Sequence, residues 1–234
     1  MIVYDEKGQE LNIDDDYEKN GIGQGKNGTV YHEGADQCAK IYYGKVFHRN
    51  RLQKDAYDIL KSIDFPFLVQ MKRLLYNDPH LDELIGYLMK YYSPKKLKIL
   101  WKNTKYSLYI LGEFMKVSEI LSKEHIVMGD LARKNTIYTG NEVVIVDPDL
   151  FKHLPDSSIE DCQKNNYIEI YKLMRNIYFV EVKNMVDEEL TLEGKRNLYQ
   201  KMNDLFDYDW DSKMVKSLSR KLRKYKYPID YFLK

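Results

Sequence analysis

The spacing of hydrophobic residues changes along the chain, and this change predicts two regions. Before about residue 92, short apolar and β-branched runs are separated by glycines and Asn-Asp turns, which is typical of β-strands. The predicted strands cover residues 28–33, 37–43, 69–75 and 84–92. One helix is predicted among them, because apolar residues recur every three or four positions from Leu52 to Ile63 and Pro66 ends the pattern.

From about residue 95 the apolar spacing is mainly helical. Helices are predicted at residues 108–121, 167–179 and 198–206, with a short strand pair at 136–146. We therefore predict an α+β, bilobal fold. Residues 1–92 are expected to form a small antiparallel-sheet lobe with one helix, and residues 93–234 a larger, mainly helical lobe.

The composition excludes several classes of protein. The chain has 234 residues and a net charge of +1, which does not indicate a nucleic-acid-binding surface. Two cysteines, Cys38 and Cys162, are too few for a disulfide framework or a four-cysteine zinc site. No apolar run approaches the roughly 20 residues of a transmembrane helix, and no signal-peptide pattern is present. We expect a cytoplasmic protein, acting in its own cell or delivered into a host.

One segment near the C-terminus is strongly basic. Residues 213–228 contain seven Lys or Arg residues and no acid, with Val215, Leu218 and Leu222 at helical spacing. Two interpretations stay open: a solvated helix, or a helix that contacts an acidic partner or a membrane surface.

A glycine-rich segment, Gly23-Gln24-Gly25-Lys26-Asn27-Gly28, lies between two strand-forming stretches. It predicts a hairpin that covers phosphates, because glycine lets the backbone approach phosphate oxygens and permits positive φ. The glycines of a dinucleotide fingerprint open a helix instead, and a Walker loop ends in Gly-Lys-Ser/Thr. A plain β-hairpin is the alternative.

Lys40 lies in the next predicted strand, twelve residues after Gly28. At this position its ammonium is predicted to contact the α- and β-phosphates of ATP, although a lysine in a strand can also face solvent. Such a lysine needs a carboxylate partner. The predicted helix offers Asp55, at the edge of its buried face; Asp58 or no partner at all are the alternatives.

Three acidic or amide residues complete the candidate chemistry. The spacing of Asp130 and Asn135 suits a catalytic loop in which the aspartate accepts the hydroxyl proton of the acceptor and the asparagine coordinates magnesium. Asp147 follows the apolar run 143–146 and is predicted to be the main metal ligand. Lys134, in the same loop as Asp130, is also predicted to be a catalytic residue.

Together these motifs resemble those of the eukaryotic-like protein kinase superfamily, over roughly residues 17–180. Residues 22–31 resemble the glycine-rich loop of the family, and Cys38-Ala39-Lys40 resembles its lysine strand. Residues 63–69 resemble the turn after its C helix, and residues 87–91 its hinge, whose backbone receives adenine.

The resemblance implies the cofactors ATP and Mg²⁺ or Mn²⁺, and it extends the set of nucleotide-binding residues. That set is Ile22, Gly23, Gly25, Gly28, Val30, Ala39, Lys40, Asp55, Met89 and Tyr91. The predicted catalytic residues are Lys40, Asp130, Lys134 and Asn135, and the predicted metal ligands are Asn135 and Asp147.

The departures from the family pattern indicate a compact, atypical member similar to minimal bacterial effector kinases. The family's His-Arg-Asp is Met128-Gly129-Asp130 here, so a phosphorylated activation loop lacks its usual arginine anchor. Asp147-Pro148-Asp149 replaces Asp-Phe-Gly, and the activation segment is short. We expect an enzyme that is constitutively competent or that an activating partner protein switches on.

Three functions are compatible with these motifs. A protein kinase acting on a protein hydroxyl is favoured, with Ser/Thr slightly preferred over Tyr and with possible autophosphorylation. A small-molecule phosphotransferase is suggested by Gly129-Asp130, which resembles aminoglycoside phosphotransferases. A nucleotide-binding pseudokinase is suggested by the absence of a C-helix glutamate.

Overall fold

The computed structural model describes residues 1–44, 51–95, 104–140 and 142–170, together with the single positions 172, 173, 193 and 224. The chain divides into two compact units. The first contains Met1–Ser93 and Val144–Lys152, and the second contains Pro94–Val143 and His153–Lys234. The sequence predicted a single division after residue 92, and the segment Val144–Lys152 is an addition to the first unit.

The protein is α+β, as predicted, and its main element is a seven-stranded antiparallel sheet in the first unit. Its strands are β1 (Ile2–Asp5), β2 (Glu10–Asn12), β3 (Gly21–Gln24), β4 (Gly28–Glu33), β5 (Gln37–Tyr42), β6 (Met71–Tyr76) and β7 (Leu84–Lys90). Their order is β2-β1-β6-β7-β5-β4-β3. A four-residue helix, α1 (Tyr17–Asn20), precedes β3.

The hairpin β1–β2 was not predicted from the sequence. Its strands have four and three residues, too few to show a clear alternation of apolar and polar positions. The hairpin joins the sheet because β1 pairs with β6, where Tyr4 lies opposite Tyr76. Val3 in β1 and Ile13, directly after β2, are completely buried.

Alternation along β5 places successive side chains on opposite faces of the sheet. On one face, Ala39 belongs to a buried apolar cluster with Val3, Ile13, Ile41, Leu75 and Leu88. On the other face lies Lys40, directly opposite Val30 of β4 and Tyr87 of β7. The sheet therefore has an apolar core on one face and Lys40 on the other.

The single predicted helix of the first unit is α2 (Lys54–Ser62). Ala56, Tyr57 and Leu60 form its buried face. The helix ends at Ser62, with Ile63 as its C-cap, shortly before Pro66 and in agreement with the predicted stop.

Glu6, in the turn after β1, connects α2 to the sheet. Its carboxylate accepts hydrogen bonds from Tyr57 Oη at 3.3 Å, Lys61 Nζ at 2.6 Å and the backbone N–H of Leu74 at 3.1 Å. One side chain of the first hairpin thus holds two residues of the helix and one of β6.

The second unit contains the long helix α3 (Thr104–Lys123), which begins four residues before the predicted start. Its buried residues include Phe114, Val117 and Leu121. After it come β8 (Ile126–Val127), a 3₁₀ turn (Arg133–Asn135) and β9 (Thr136–Tyr138).

The chain then forms β10 (Val143–Ile145), a 3₁₀ turn (Pro148–Leu150), β11 (Lys152–His153) and a helix, α4, at residues 159–170. The predicted helix at 198–206 and most of the basic segment 213–228 lie outside the described residues. Within the part of the chain that the structure describes, no helix is long and apolar enough to cross a membrane.

Candidate functional site

The glycine-rich segment forms the turn of the hairpin between β3 and β4, as predicted. The backbone N–H of Gly25 donates to the carbonyl of Gly28 at 2.9 Å and closes the turn. Glycine permits positive φ, but the turn does not use this freedom at Gly23, Gly25 or Gly28, none of which has a left-handed backbone. Their glycine character must have another reason.

For one of the three glycines the reason is packing. A Cβ on Gly28 would lie 2.2 Å from the carbonyl oxygen of Ile41, so β5 passes too close for any side chain. A Cβ on Gly23 would meet nothing within 4 Å, and one on Gly25 would come no closer than 3.8 Å to its nearest neighbour. The fold therefore requires glycine at position 28, whereas a Cβ would have open space at Gly23 and an ordinary van der Waals contact at Gly25.

Lys40 is buried, with 6 % of its surface exposed. Its ammonium forms ion pairs with two carboxylates, those of Asp147 and Asp149, and the Asp149 Oδ2 lies 2.6 Å away. Burial alone would lower the pKa of Lys40, but the negative charges of Asp149 and Asp147 outweigh burial and raise it. The side chain therefore carries a stable positive charge at neutral pH.

Asp149 is also buried, and three donors surround its carboxylate. Lys40 donates to Oδ2, while the phenols of Tyr42 and Tyr87 donate to Oδ1 at 3.0 and 3.1 Å. Burial raises the pKa of Asp149, and the Lys40 ammonium opposes that shift. Because all three partners are donors, the ionised carboxylate is the form that satisfies them.

The surroundings of Tyr42 and Tyr87 keep both phenols protonated, so that each donates a hydrogen bond. Burial and the charge of Asp149 raise the pKa values of Tyr42 and Tyr87 well above that of an ordinary tyrosine. The Tyr42 oxygen also accepts the backbone N–H of Leu52 at 2.9 Å. The network thus extends from Asp149 to the chain that leads into α2.

Asp147 lies between β10 and the following 3₁₀ turn, in a strained left-handed conformation with φ 62° and ψ 63°. Its side chain is 38 % exposed, in contrast to that of Asp149. The preceding strand is fixed by two backbone hydrogen bonds, from Val69 to Ile145 and from Ile145 to Phe67, each 2.9 Å long. Asp147 therefore presents a half-exposed carboxylate from a well-anchored segment.

The predicted partner of Lys40 was wrong. Asp55 is exposed in the first turn of α2, where its Oδ1 accepts the N–H of Ala56 at 2.8 Å. The alternative, Asp58, pairs with Lys54 at 2.7 Å on the same helix. Asp55 lies outside the buried face of α2, which consists of Ala56, Tyr57 and Leu60. The carboxylates that pair with Lys40 belong instead to Asp147 and Asp149, which follow β10.

The predicted nucleotide contact of Ala39 was also wrong. Ala39 is fully buried in the apolar cluster on the face opposite Lys40. Adjacent residues of a strand face opposite sides, so it is Cys38, two residues before Lys40, that shares its face. Val30 and Met89 lie on that face too, since their register partners are Lys40 and Cys38.

The hinge interpretation of residues 87–91 needs correction. Residues up to Lys90 belong to β7, which pairs with β5 on one side and β6 on the other, so the backbone of this strand is already paired. The N–H of Tyr91 donates to the carbonyl of Asp36 at 2.7 Å. The ring of Tyr91 lies 4.5 Å from that of His32.

Ile22, another predicted nucleotide-binding residue, lies in the edge strand β3 and is 37 % exposed.

In the second unit the structure brings Asp130, Lys134 and Asn135 together. Asp130, like Asp147, has a left-handed backbone, with φ 50°. Its side chain is 52 % exposed. Lys134 Nζ lies 3.7 Å from its Oδ2. The buried Asn135 donates its Nδ2 to the Asp130 carbonyl at 2.8 Å, which directs its amide oxygen elsewhere.

Helix α4 holds the segment around Asp130 from both sides. Asn166, fully buried, accepts the N–H of Met128 at 2.7 Å, two residues before the aspartate. Glu169 accepts the N–H of Leu131 at 3.1 Å, directly after it. Local sequence patterns do not predict these two contacts, because each joins residues 38 positions apart.

No cluster of three or more His, Cys, Asp or Glu side chains that could hold a metal occurs among the described residues. Mg²⁺ usually binds one or two carboxylates together with substrate phosphates. Asp147 in the first unit and Asn135 in the second have the hard oxygen atoms that this ion prefers. The donor chemistry of the predicted ligands therefore fits Mg²⁺.

No protein-family model matches the chain, and no curated protein matches it either. Among the residues around Lys40, the sequence prediction missed Asp149, Tyr42 and Tyr87. A signal for Asp149 was present, since it is a second acid two positions after the predicted metal ligand.

Proposed function

We propose that the protein is an ATP- and Mg²⁺-dependent protein kinase that transfers the γ-phosphoryl group to a protein hydroxyl. The observation that carries this proposal is the buried Lys40 ammonium, in contact with the half-exposed Asp147 on the sheet face that also carries Val30. Phosphoryl transfer needs a fixed cation for the phosphates and a carboxylate for the metal.

The glycine hairpin supports the same proposal. Gly23 and Gly25 have neither a positive φ nor a close neighbour, so the fold itself does not require glycine at either position. A close approach by the phosphates of a nucleotide explains why side chains are missing there. We assign this hairpin to cover the phosphates and Lys40 to bind their oxygens.

The second unit supplies the group that acts on the acceptor. We assign Asp130 as the acceptor of the hydroxyl proton, and Lys134 as a nearby positive charge that stabilises the transferring phosphoryl group. Asp147, in the first unit, is assigned as a metal ligand, and Asn135, in the second unit, has an amide oxygen of the kind that Mg²⁺ accepts. Bound Mg²⁺ would neutralise charge on the phosphate oxygens as the transfer proceeds.

The proposal includes a kinase-like bilobal fold with a short activation segment. Helix α4 begins ten positions after Asp149, and a 3₁₀ turn and β11 occupy part of that interval. Little chain is available for a regulatory loop. The absence of a glutamate from α2 suggested a pseudokinase. That suggestion is weakened, because Lys40 has other carboxylate partners.

The test is phosphate transfer from radiolabelled ATP with Mg²⁺ to lysate proteins and to the enzyme itself, beside the Asp130→Asn variant. We expect protein-bound label that falls by about two to four orders of magnitude in the variant, while calorimetric binding of Mg·ATP is unchanged. Phosphoamino-acid analysis then distinguishes Ser/Thr from Tyr.

Other outcomes would change the assignment. Equal labelling by Asp130→Asn would remove this residue as the base. Label found only on a small alcohol would indicate a small-molecule phosphotransferase. Nucleotide binding without transfer to any acceptor would indicate a pseudokinase.

A further inference from the structure

We propose that Asp149 is the positioning residue of Lys40, in the place that the kinase pattern gives to a glutamate of the helix after the lysine strand. This inference rests on the proposed function, since it concerns how the phosphate-binding lysine is held. Its structural part, that Asp149 holds Lys40, can be tested without any activity.

The two aspartates near Lys40 have different surroundings, which suit different tasks. Asp149 is 4 % exposed, and both of its oxygens accept hydrogen bonds from buried donors. A carboxylate in this state is poorly suited to ligate a metal that must enter from solvent with its water shell. Asp147, with 38 % of its side chain exposed, is suited to that role.

The two tyrosines fix the orientation of Asp149. Tyr42 extends from β5, two residues after Lys40, and Tyr87 extends from β7, directly opposite Lys40. Their hydroxyls both reach Oδ1, so that Oδ2 is the oxygen directed at the lysine. A buried, fully hydrogen-bonded carboxylate has little rotational freedom, and Lys40 is therefore positioned before any ligand binds.

The location of Asp149 in the chain has a functional consequence. Asp147 and Asp149 are two residues apart, so the metal ligand and the group that holds the lysine belong to one short segment. That segment follows β10, whose Ile145 forms backbone hydrogen bonds with Phe67 and Val69. Lys40 is thus held without an acidic side chain from α2, and the network reaches the chain before that helix through the bond between Tyr42 and the backbone of Leu52.

The experiment compares the wild-type chain with Asp149→Asn, Asp147→Asn and Asp64→Asn. Asp64 is an exposed aspartate of the first unit that accepts a hydrogen bond from Gln70. Three measurements are made: the ATP kinetics, which give kcat and KM; the Mg²⁺ concentration for half-maximal activity; and the rate at which acetic anhydride modifies Lys40, read by mass spectrometry.

For Asp149→Asn we expect kcat to fall about 100-fold, Lys40 to be acetylated about tenfold faster, and the Mg²⁺ requirement to stay within about twofold of the wild type. For Asp147→Asn we expect the Mg²⁺ requirement to rise about tenfold or more. Asp64→Asn should match the wild type in all three measurements.

Wild-type kcat and wild-type Lys40 reactivity in Asp149→Asn would overturn the proposal. So would a tenfold rise in the Mg²⁺ requirement of this variant, because Asp149 would then be a metal ligand. Loss of activity in Asp55→Asn, with Asp149→Asn unaffected, would return the role to the helix.

Two further outcomes are covered by the same design. If the wild type neither binds nor uses ATP, the proposed function fails, and the acetylation rates still decide whether Asp149 holds Lys40. If Asp149→Asn does not fold, Tyr87→Phe replaces it, because the Tyr87 hydroxyl donates to Asp149. We expect faster acetylation of Lys40 in that variant, and an unchanged rate would overturn the proposal.

Discussion

Lys40 Nζ and Asp149 Oδ2 lie 2.6 Å apart although their residues are 109 positions apart in the chain, and both side chains are buried. Breaking a buried pair from one side leaves an uncompensated charge, which is usually more costly than replacing both partners. The coupling between Lys40 and Asp149 can therefore be measured through the free energy of unfolding of single and double variants.

We expect Lys40→Met to lower the free energy of unfolding by about 3–5 kcal/mol, because Asp149 then remains buried without its cation. The double variant Lys40→Met/Asp149→Asn should recover about 1–3 kcal/mol of this loss. Urea denaturation followed by circular dichroism measures both values. Simple addition of the two single effects would show that the side chains are not coupled.

Two glycines of the hairpin should respond in opposite ways to alanine. Gly28→Ala places a Cβ 2.2 Å from the Ile41 carbonyl oxygen and should destabilise the protein by about 1–3 kcal/mol. Gly23→Ala meets nothing within 4 Å, so its melting temperature should be unchanged or slightly higher.

The affinity for nucleotide should distinguish Gly23→Ala from a neutral surface change. We expect Mg·ATP to bind this variant about tenfold more weakly, since the new methyl group occupies the space that we assign to the phosphates, and tenfold corresponds to about 1.4 kcal/mol. Calorimetric titration provides the measurement. Unaltered affinity would count against a phosphate-covering role for the hairpin.

Asn166 should be important for the segment that carries Asp130. Its side chain binds the N–H of Met128, the hydroxyl of Ser122 and the carbonyl of Ile126. Asn166→Ala leaves these buried groups without their partner and should cost about 2–4 kcal/mol of stability. The neighbouring Asn165 is exposed, so Asn165→Ala is the matched control and should be neutral in thermal denaturation.

Cys38 should be an unreactive thiol in the folded protein. Burial raises the pKa of Cys38 to about 12, whereas the pKa of a cysteine in an unfolded chain is about 8.5. Iodoacetamide at pH 8.5 should therefore modify it only after unfolding by urea, as peptide mass spectrometry would reveal. Rapid alkylation of the native protein would contradict its buried position in β5.

The same shift predicts a dependence of stability on pH. Above about pH 8.5 the unfolded thiol releases a proton that the native thiol keeps, so the contribution of Cys38 to stability is complete below that pH and is lost as pH rises toward 12. The loss should approach about 1.4 kcal/mol per pH unit. Cys38→Val should show a flatter profile in this range, which the difference between the two denaturation series measures.

Local patterns in the sequence predicted the elements that depend on nearby residues. Turn residues and β-branched runs located the hairpin of β3 and β4, and the helical period with Pro66 located α2. Lys40 was placed correctly in the strand after the hairpin. Each of these features is decided within about ten residues of the chain.

The features that the sequence did not predict depend on contacts over long distances. The partner of Lys40 was sought on the nearest helix, but packing of the chain after β10 brings Asp149 to it. Ala39 was assigned by resemblance to a motif, whereas the alternation of side chains in β5 puts it on the other face. Alternation alone would have corrected this second error.

The pairing of β1 with β6 affects how the protein folds. Tyr4 and Tyr76 lie opposite each other, and Glu6 binds the N–H of Leu74, so the first strand forms contacts with residues about seventy positions later. During synthesis the N-terminal hairpin must wait for β6 before it can join the sheet, and contacts of this separation slow folding. Strand β1 is therefore synthesised well before its partner β6, and it is among the last strands of this sheet to reach its final position.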